Sequence, residues 1–204
     1  MIAVIGKKIV SFDEFVDWYP DSNIHYELRR GVIAQMPKPK GKHSEIGGFV
    51  IKKLNNAIDQ MQVSYFIPRE SIIKISDDTG YEPDVIVVDR QSLANEPLWS
   101  SSSVITKGKS VKLVVEVVST NWRDDYALKM SDYESVGIEE YWIIDYLGLG
   151  GRRYIGSPKQ PTFTVCTLVD GEYEIQQFRN SDLIVSSNFL GLQLTANEIF
   201  NPTY

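Results

Sequence analysis

Hydrophobic and polar positions follow two distinct rhythms along this chain. Between His43 and Met61 the apolar residues Ile46, Val50, Leu54, Ile58 and Met61 recur every three or four positions, which predicts a long helix with one buried stripe. VSYFIPRESIIKI (63–75), YEPDVIVV (81–88), KLVVEVVS (112–119) and EYWIIDY (140–146) carry the composition of strands instead. SDDTG separates the first two as a turn. KLVVEVVS is so nearly continuous in β-branched residues that it belongs at the centre of a sheet covered on both faces. A helix from about Trp122 to Val136, with Gly137 as its C-cap, links it to EYWIIDY and completes a strand, helix, strand unit.

Weaker signals fill the remainder. Ser11 with Glu14 three residues later reads as a capping box opening a short helix that Pro20 ends. HYELRRGVIAQM (25–36) reads as two short strands around Arg29, Arg30 and Gly31, after which PKPKGK breaks the pattern. The polar, Ser-rich stretch 91–110 is expected to be a surface loop. RRYIG, TFTVCTLV and EYEIQQF read as antiparallel strands with a turn at Asp170 and Gly171, and LTANEIF as a terminal helix. With no repeat or linker to divide it, residues 1–204 are expected to form a single domain of mixed α/β (α+β) class.

Composition narrows the function more than the fold. No stretch approaches the roughly 18 apolar residues of a membrane span, so no membrane association is expected. MIAVIGKKIV lacks the basic start and small-residue cleavage site of an export signal, and a lone cysteine, Cys166, forbids an internal disulfide. Both point to the cytoplasm. A formal net charge of −6 argues against a protein that coats nucleic acid, although a local basic patch remains compatible with an enzyme acting on it. Lys38, Lys40, Lys42, Lys52 and Lys53 are the candidates for that patch, although a solvated lysine surface is the simpler explanation of them. Two histidines and one cysteine exclude a histidine- or thiolate-rich zinc site, and neither Gly47-Gly48 nor GLGG (148–151) has the context of a phosphate loop.

Three residues sit where local rules would not place them. Glu116 interrupts an apolar strand, where an unpaired carboxylate costs several kcal/mol or takes up a proton. Asp84 begins another apolar strand on the face shared by Ile86 and Val88. On neighbouring strands the two carboxylates would lie about 5 Å apart and could share one hard cation. Lys129 falls near the middle of the helical arc formed by Trp122, Tyr126, Tyr133 and Val136, so its ammonium is expected to face the same sheet. Each has a commonplace explanation as well: Asp after Pro often caps a turn, and a lysine on an apolar arc usually snorkels to water. Together they suit metal-assisted hydrolysis of a phosphodiester, with Asp84 and Glu116 holding the cation and Lys129 orienting water or stabilising developing charge.

In order and spacing, HYELRRGVI, EPDVIVV, LVVEVVS and KMSDYESVGIEEYWIIDY resemble the Uma-two family of restriction-endonuclease-like proteins, long filed as a domain of unknown function. The resemblance runs from about Ser11 to Phe200. It implies a restriction-endonuclease-like core of the PD-(D/E)XK superfamily, a mixed β-sheet flanked by helices, here with extra antiparallel strands. It further implies a Mg²⁺- or Mn²⁺-dependent endonuclease acting on nucleic acid, DNA first, with Asp84 and Glu116 as metal ligands and Lys129 as a lysine moved onto the following helix. The superfamily's usual lysine position, two residues after the glutamate, is Val118 here, and Thr120 stands where the family often has proline. Glu27, in the matching YEL segment, is a candidate further carboxylate, or a surface partner of Arg29 or Arg30. His43 is a candidate contact to phosphate or water. The alternative is a nuclease-fold module that binds or assembles without turnover. A homodimer is expected, and in the alternative it would form through the exposed strands of the C-terminal half.

Overall fold

The protein is described by a computed structural model covering residues 9–203 and the backbone of Ala3 and Val4; most of the segment read above for an export signal lies outside the described residues. In chain order the strands are β1 (Ala3–Val4), β2 (Tyr26–Arg29), β3 (Val32–Gln35), β4 (Tyr65–Phe66), β5 (Ile72–Ser76), β6 (Thr79–Tyr81), β7 (Val85–Asp89), β8 (Val104–Ile105), β9 (Val111–Val117), β10 (Glu140–Asp145), β11 (Thr162–Val169) and β12 (Glu172–Phe178). The helices are α1 (Phe12–Trp18), α2 (Gly41–Met61), α3 (Arg90–Leu93), α4 (Trp99–Ser102), α5 (Met130–Ser135), α6 (Arg152–Ile155) and α7 (Ala196–Phe200). A π-helical segment, Asp124–Lys129, runs directly into α5.

Two mixed six-stranded sheets result. One has the order β1-β3-β2-β6-β5-β8 and the other β12-β11-β10-β9-β7-β4. In the second, β9 lies parallel to β10, as the strand, helix, strand unit requires, and antiparallel to β7. Every residue of β10 is buried, and every residue of β9 except the partly covered Lys112. Leu113, Val115 and Val117 meet Val50, Leu54 and Ile58 of α2, together with Ile199 and Phe200 of α7. Val114 and Val118, from the opposite face, meet Tyr126 and Tyr133 beneath the helix of residues 122–135. The first sheet covers that helix from the far side, donating Ile73 and Tyr81 to the same cluster. α1 closes the outer face of the first sheet with Phe12 and Phe15, and the Ser11–Glu14 capping box forms as its sequence requires.

Four sequence expectations are corrected. The segments 63–75 and 81–88 are not two continuous strands: Pro68 falls between β4 and β5, Pro83 falls between β6 and β7, and at each point the chain passes from one sheet to the other. Proline supplies no ladder N–H, so a sheet strand ends readily where one occurs. The turn at Asp77 and Asp78 consequently joins β5 to β6 within the first sheet. Residues 91–110 are not a structureless loop, since they hold α4 and β8, which pairs in parallel with β5. Arg152–Ile155 is a helical turn rather than a strand, beginning after Gly151.

Gly108 shows how closely the segment 91–110 packs on the end of the helix that carries Lys129. A Cβ at this position would lie 1.9 Å from the Val136 carbonyl oxygen, a backbone atom with little room to move. Replacing Gly108 with Ala is expected to cost about 2 kcal/mol through overpacking and to lower Tm by about 4–8 °C, read by calorimetry. An unchanged Tm would show that this packing does not hold the helix in place.

Candidate active site

The register of β7 against β9 sets the site. Val85 pairs with Val115 and Ile86 with Val114, so continuing the ladder by one residue places Asp84 opposite Glu116. Pro83 ends the strand there, and Asp84 lies on the segment that crosses between the sheets. Its Oδ2 accepts a hydrogen bond from the Val117 amide at 2.7 Å, fixing the carboxylate over the end of β9. His43, in the first turn of α2, brings Nε2 to 3.3 Å from the same oxygen. Burial alone would pull the imidazole pKa down; the hydrogen bond and charge of Asp84 outweigh it and hold it above the ordinary value.

Beneath this rim the charges are almost wholly buried. Lys129 is 3% exposed and its Nζ donates to Glu116 Oε1 at 2.7 Å. It also lies 2.9 Å from Glu27 Oε1, in ion-pair contact but outside hydrogen-bonding geometry, so that oxygen has no hydrogen-bond donor among the described residues. Tyr133 OH donates to Glu116 Oε1 at 3.0 Å, and the ammonium stands 5.3 Å from the Tyr81 ring centroid. Glu27 comes from β2 of the first sheet, Glu116 from β9 of the second and Lys129 from the helix between them. Arg29 adds a second bridge: Nε and Nη2 contact Glu27 Oε2 at 2.9 and 2.5 Å, and Nη1 contacts Asp124 Oδ2 at 2.6 Å. Glu27 thus does pair with Arg29, in the interior rather than on the surface, because β2 faces inward at this position.

The electrostatics follow from burial. Desolvation opposes a charged Lys129, yet Glu116, Glu27 and Asp125 together hold its pKa well above the ordinary lysine value, so the ammonium persists. One ammonium cannot neutralise all its neighbours. Burial pushes Glu116 up, to about 7, against the pull of Lys129 and with Asp84 and Glu27 adding to the rise. Burial likewise raises Asp125 well above the usual carboxylate range. Oxygen donors in negative excess are the kind of set a hard divalent cation favours. Among the described residues no group of three or more such side chains is arranged to enclose a metal ion. Asp84 and Glu116 still fit Mg²⁺, which takes one or two carboxylates and completes its shell with water and substrate oxygens.

All five residues singled out from sequence therefore gather around one point, with Asp84 and His43 at the accessible edge and Glu116, Glu27 and Lys129 below. Val118 occupies the usual lysine position as a buried member of the apolar cluster beneath Tyr126 and Tyr133. Sequence reasoning missed Asp125, Tyr133 and Asp124. Asp125 and Tyr133 stand four residues on either side of Lys129, a spacing that places them on its helical face. Removing the ammonium, as in Lys129→Met, would leave buried carboxylates without compensation, at a cost of about 3–5 kcal/mol in stability. Denaturant unfolding should show this loss, and adding Glu27→Gln should recover part of it; an additive double variant would mean the two groups are not coupled.

A family model described as "Putative restriction endonuclease", Uma2, matches residues 12–197. Among solved structures, the chain is similar to a protein described as a putative nuclease belonging to DUF820 from Anabaena variabilis, with a TM-score of 0.71 and 20% identity over 94% of this chain and 97% of that one. At that identity the likeness establishes a common fold. No curated protein matches. With the family model spanning most of its length, this chain belongs to the Uma2 family.

Proposed function

We propose that this chain is an endonuclease hydrolysing phosphodiester bonds of nucleic acid, DNA foremost, with Mg²⁺ or Mn²⁺ held by Asp84 and Glu116. The observation that carries the reading is the meeting of Asp84, Glu116 and Lys129, from two strands and a helix, around one largely buried point. The cation, when bound, supplies Lewis acidity toward a phosphoryl oxygen and lowers the pKa of water. Lys129, held charged by its neighbours, places fixed positive charge where negative charge develops on the phosphoryl group. Tyr133 and Glu27 hold that ammonium and its partner Glu116 in place, and so act as positioning residues. His43 steadies Asp84 and stands at the edge from which a phosphate would approach.

The family description and the printed name of the Anabaena protein support the nuclease class. No helix among the described residues is long and apolar enough to cross a membrane, which suits work on nucleic acid in the cytoplasm. Pairing of β12 edges in a homodimer is part of the same reading, since β12 is an edge strand with mostly exposed residues. One observation favours the alternative of a nuclease-fold module without turnover: Lys129 already pairs with both Glu116 and Glu27, so the cluster also serves as a structural tie.

Plasmid nicking separates the two. With Mg²⁺ or Mn²⁺ the parent protein is expected to cleave, EDTA to abolish cleavage, and Asp84→Ala or Glu116→Gln to lower it by at least about 100-fold. Folded Lys129→Met protein should lose about 100- to 1000-fold in kcat with little change in KM. Absence of metal-dependent cleavage of DNA and RNA by the parent would favour the structural reading.

A further inference from the structure

The two crossings between the sheets, near Pro68 and near Pro83, stand side by side and enclose a cleft of about 230 Å³ that Asp84 also lines. Its walls are apolar, formed by Ile67 and Pro68 on one crossing, Pro83 on the other and Ile51 of α2. Besides Asp84, two polar groups stand out against them. Ser71 is 4% exposed, and its Oγ has no hydrogen-bond partner among the described residues. A buried hydroxyl without a partner calls for an explanation, and a ligand in the adjoining cleft would supply one once the Ser71 side chain turns toward it. Arg69, also lining the cleft, holds its side chain 94% exposed, with Nε 3.3 Å from Glu70 Oε1. Apolar walls, one buried hydroxyl and a cation at the mouth match a nucleotide: a base between the walls, its polar edge on the hydroxyl and a phosphate at the guanidinium.

We propose that this cleft is a subsite for one unpaired nucleotide next to the scissile phosphate, so that the substrate class is single-stranded or locally unpaired nucleic acid. The inference rests on the nuclease reading for its choice of ligand. A base inside a duplex cannot reach a recess between two chain crossings without leaving its stack, and extrusion is least costly where no partner strand holds it. Asp84 ties the subsite to the reacting centre, because it lines the cleft and caps the end of β9 beside Glu116.

Binding can be measured without catalysis, by titrating adenosine and thymidine 5′-monophosphates into the full chain in EDTA and following isoleucine methyl resonances. Saturable shifts at Ile51 and Ile67, with Ile155 silent, are expected. Ser71→Ala should weaken binding about fivefold to tenfold, the loss of one hydrogen bond. Arg69→Gln, at an exposed side chain that folding does not depend on, should weaken binding and flatten its salt dependence. Absence of shifts, equal affinity for inorganic phosphate, or no effect of either substitution would overturn the subsite. With Mn²⁺, single-stranded oligonucleotides should be cleaved about tenfold or more faster than the matched duplex, and equal rates would overturn the assignment of substrate class. Monophosphate binding without cleavage of any nucleic acid would support the subsite and sink the nuclease reading, so the two fail separately.

Discussion

The structure is organised around one buried ammonium. Lys129 reaches Glu116 on one sheet and Glu27 on the other from the helix between them. Taking such a group out of water is strongly unfavourable, and its attraction to two carboxylates offsets the penalty only when all three are held in register. The surrounding packing supplies that register: Tyr133 fixes Glu116, Arg29 fixes Glu27 and ties it to Asp124, and Tyr81 lies by the ammonium. An apolar trio of similar volume could hold the layers together at less electrostatic cost. The retention of charge here is intelligible if the cluster has work to do on an anionic substrate.

The same arrangement explains why the site is graded from open to closed. Asp84 lies on a crossing between sheets, where the ladder has ended and a side chain can reach solvent. Glu116 lies one register step inside, where burial raises its pKa and a neutralising partner becomes necessary. Lys129, almost wholly buried, is shielded from solvent, so its attraction to Glu116 and Glu27 is screened by salt far less than a surface pair would be.

Much of this was legible in the chain. Glu116 announced itself because a carboxylate in the run LVVEVV violates the pattern around it, and Lys129 because its helical phase matches that of Tyr126 and Tyr133. The helix of α2 and the central strands β9 and β10 were equally plain, since their periodicity or continuity leaves few alternatives. What stayed hidden were features decided by distance in space. Strands 63–75 and 81–88 carried one composition throughout, yet each divides between two sheets at a proline. The short pairing of β8 with β5 has no local signature, and Arg29 looked like a hairpin surface residue until Asp124, 95 positions away, became its partner.

The π-helical segment just before α5 carries a further implication. Such a turn accommodates one more residue than ordinary winding, and here it lies between Glu116 and the end of the segment that delivers Lys129. A chain one residue shorter in that turn could revert to α winding and still aim its amine at the same carboxylate. Counting positions from the glutamate is thus an unsafe way to identify an equivalent lysine in other chains; angular phase on the helix is the physically meaningful guide.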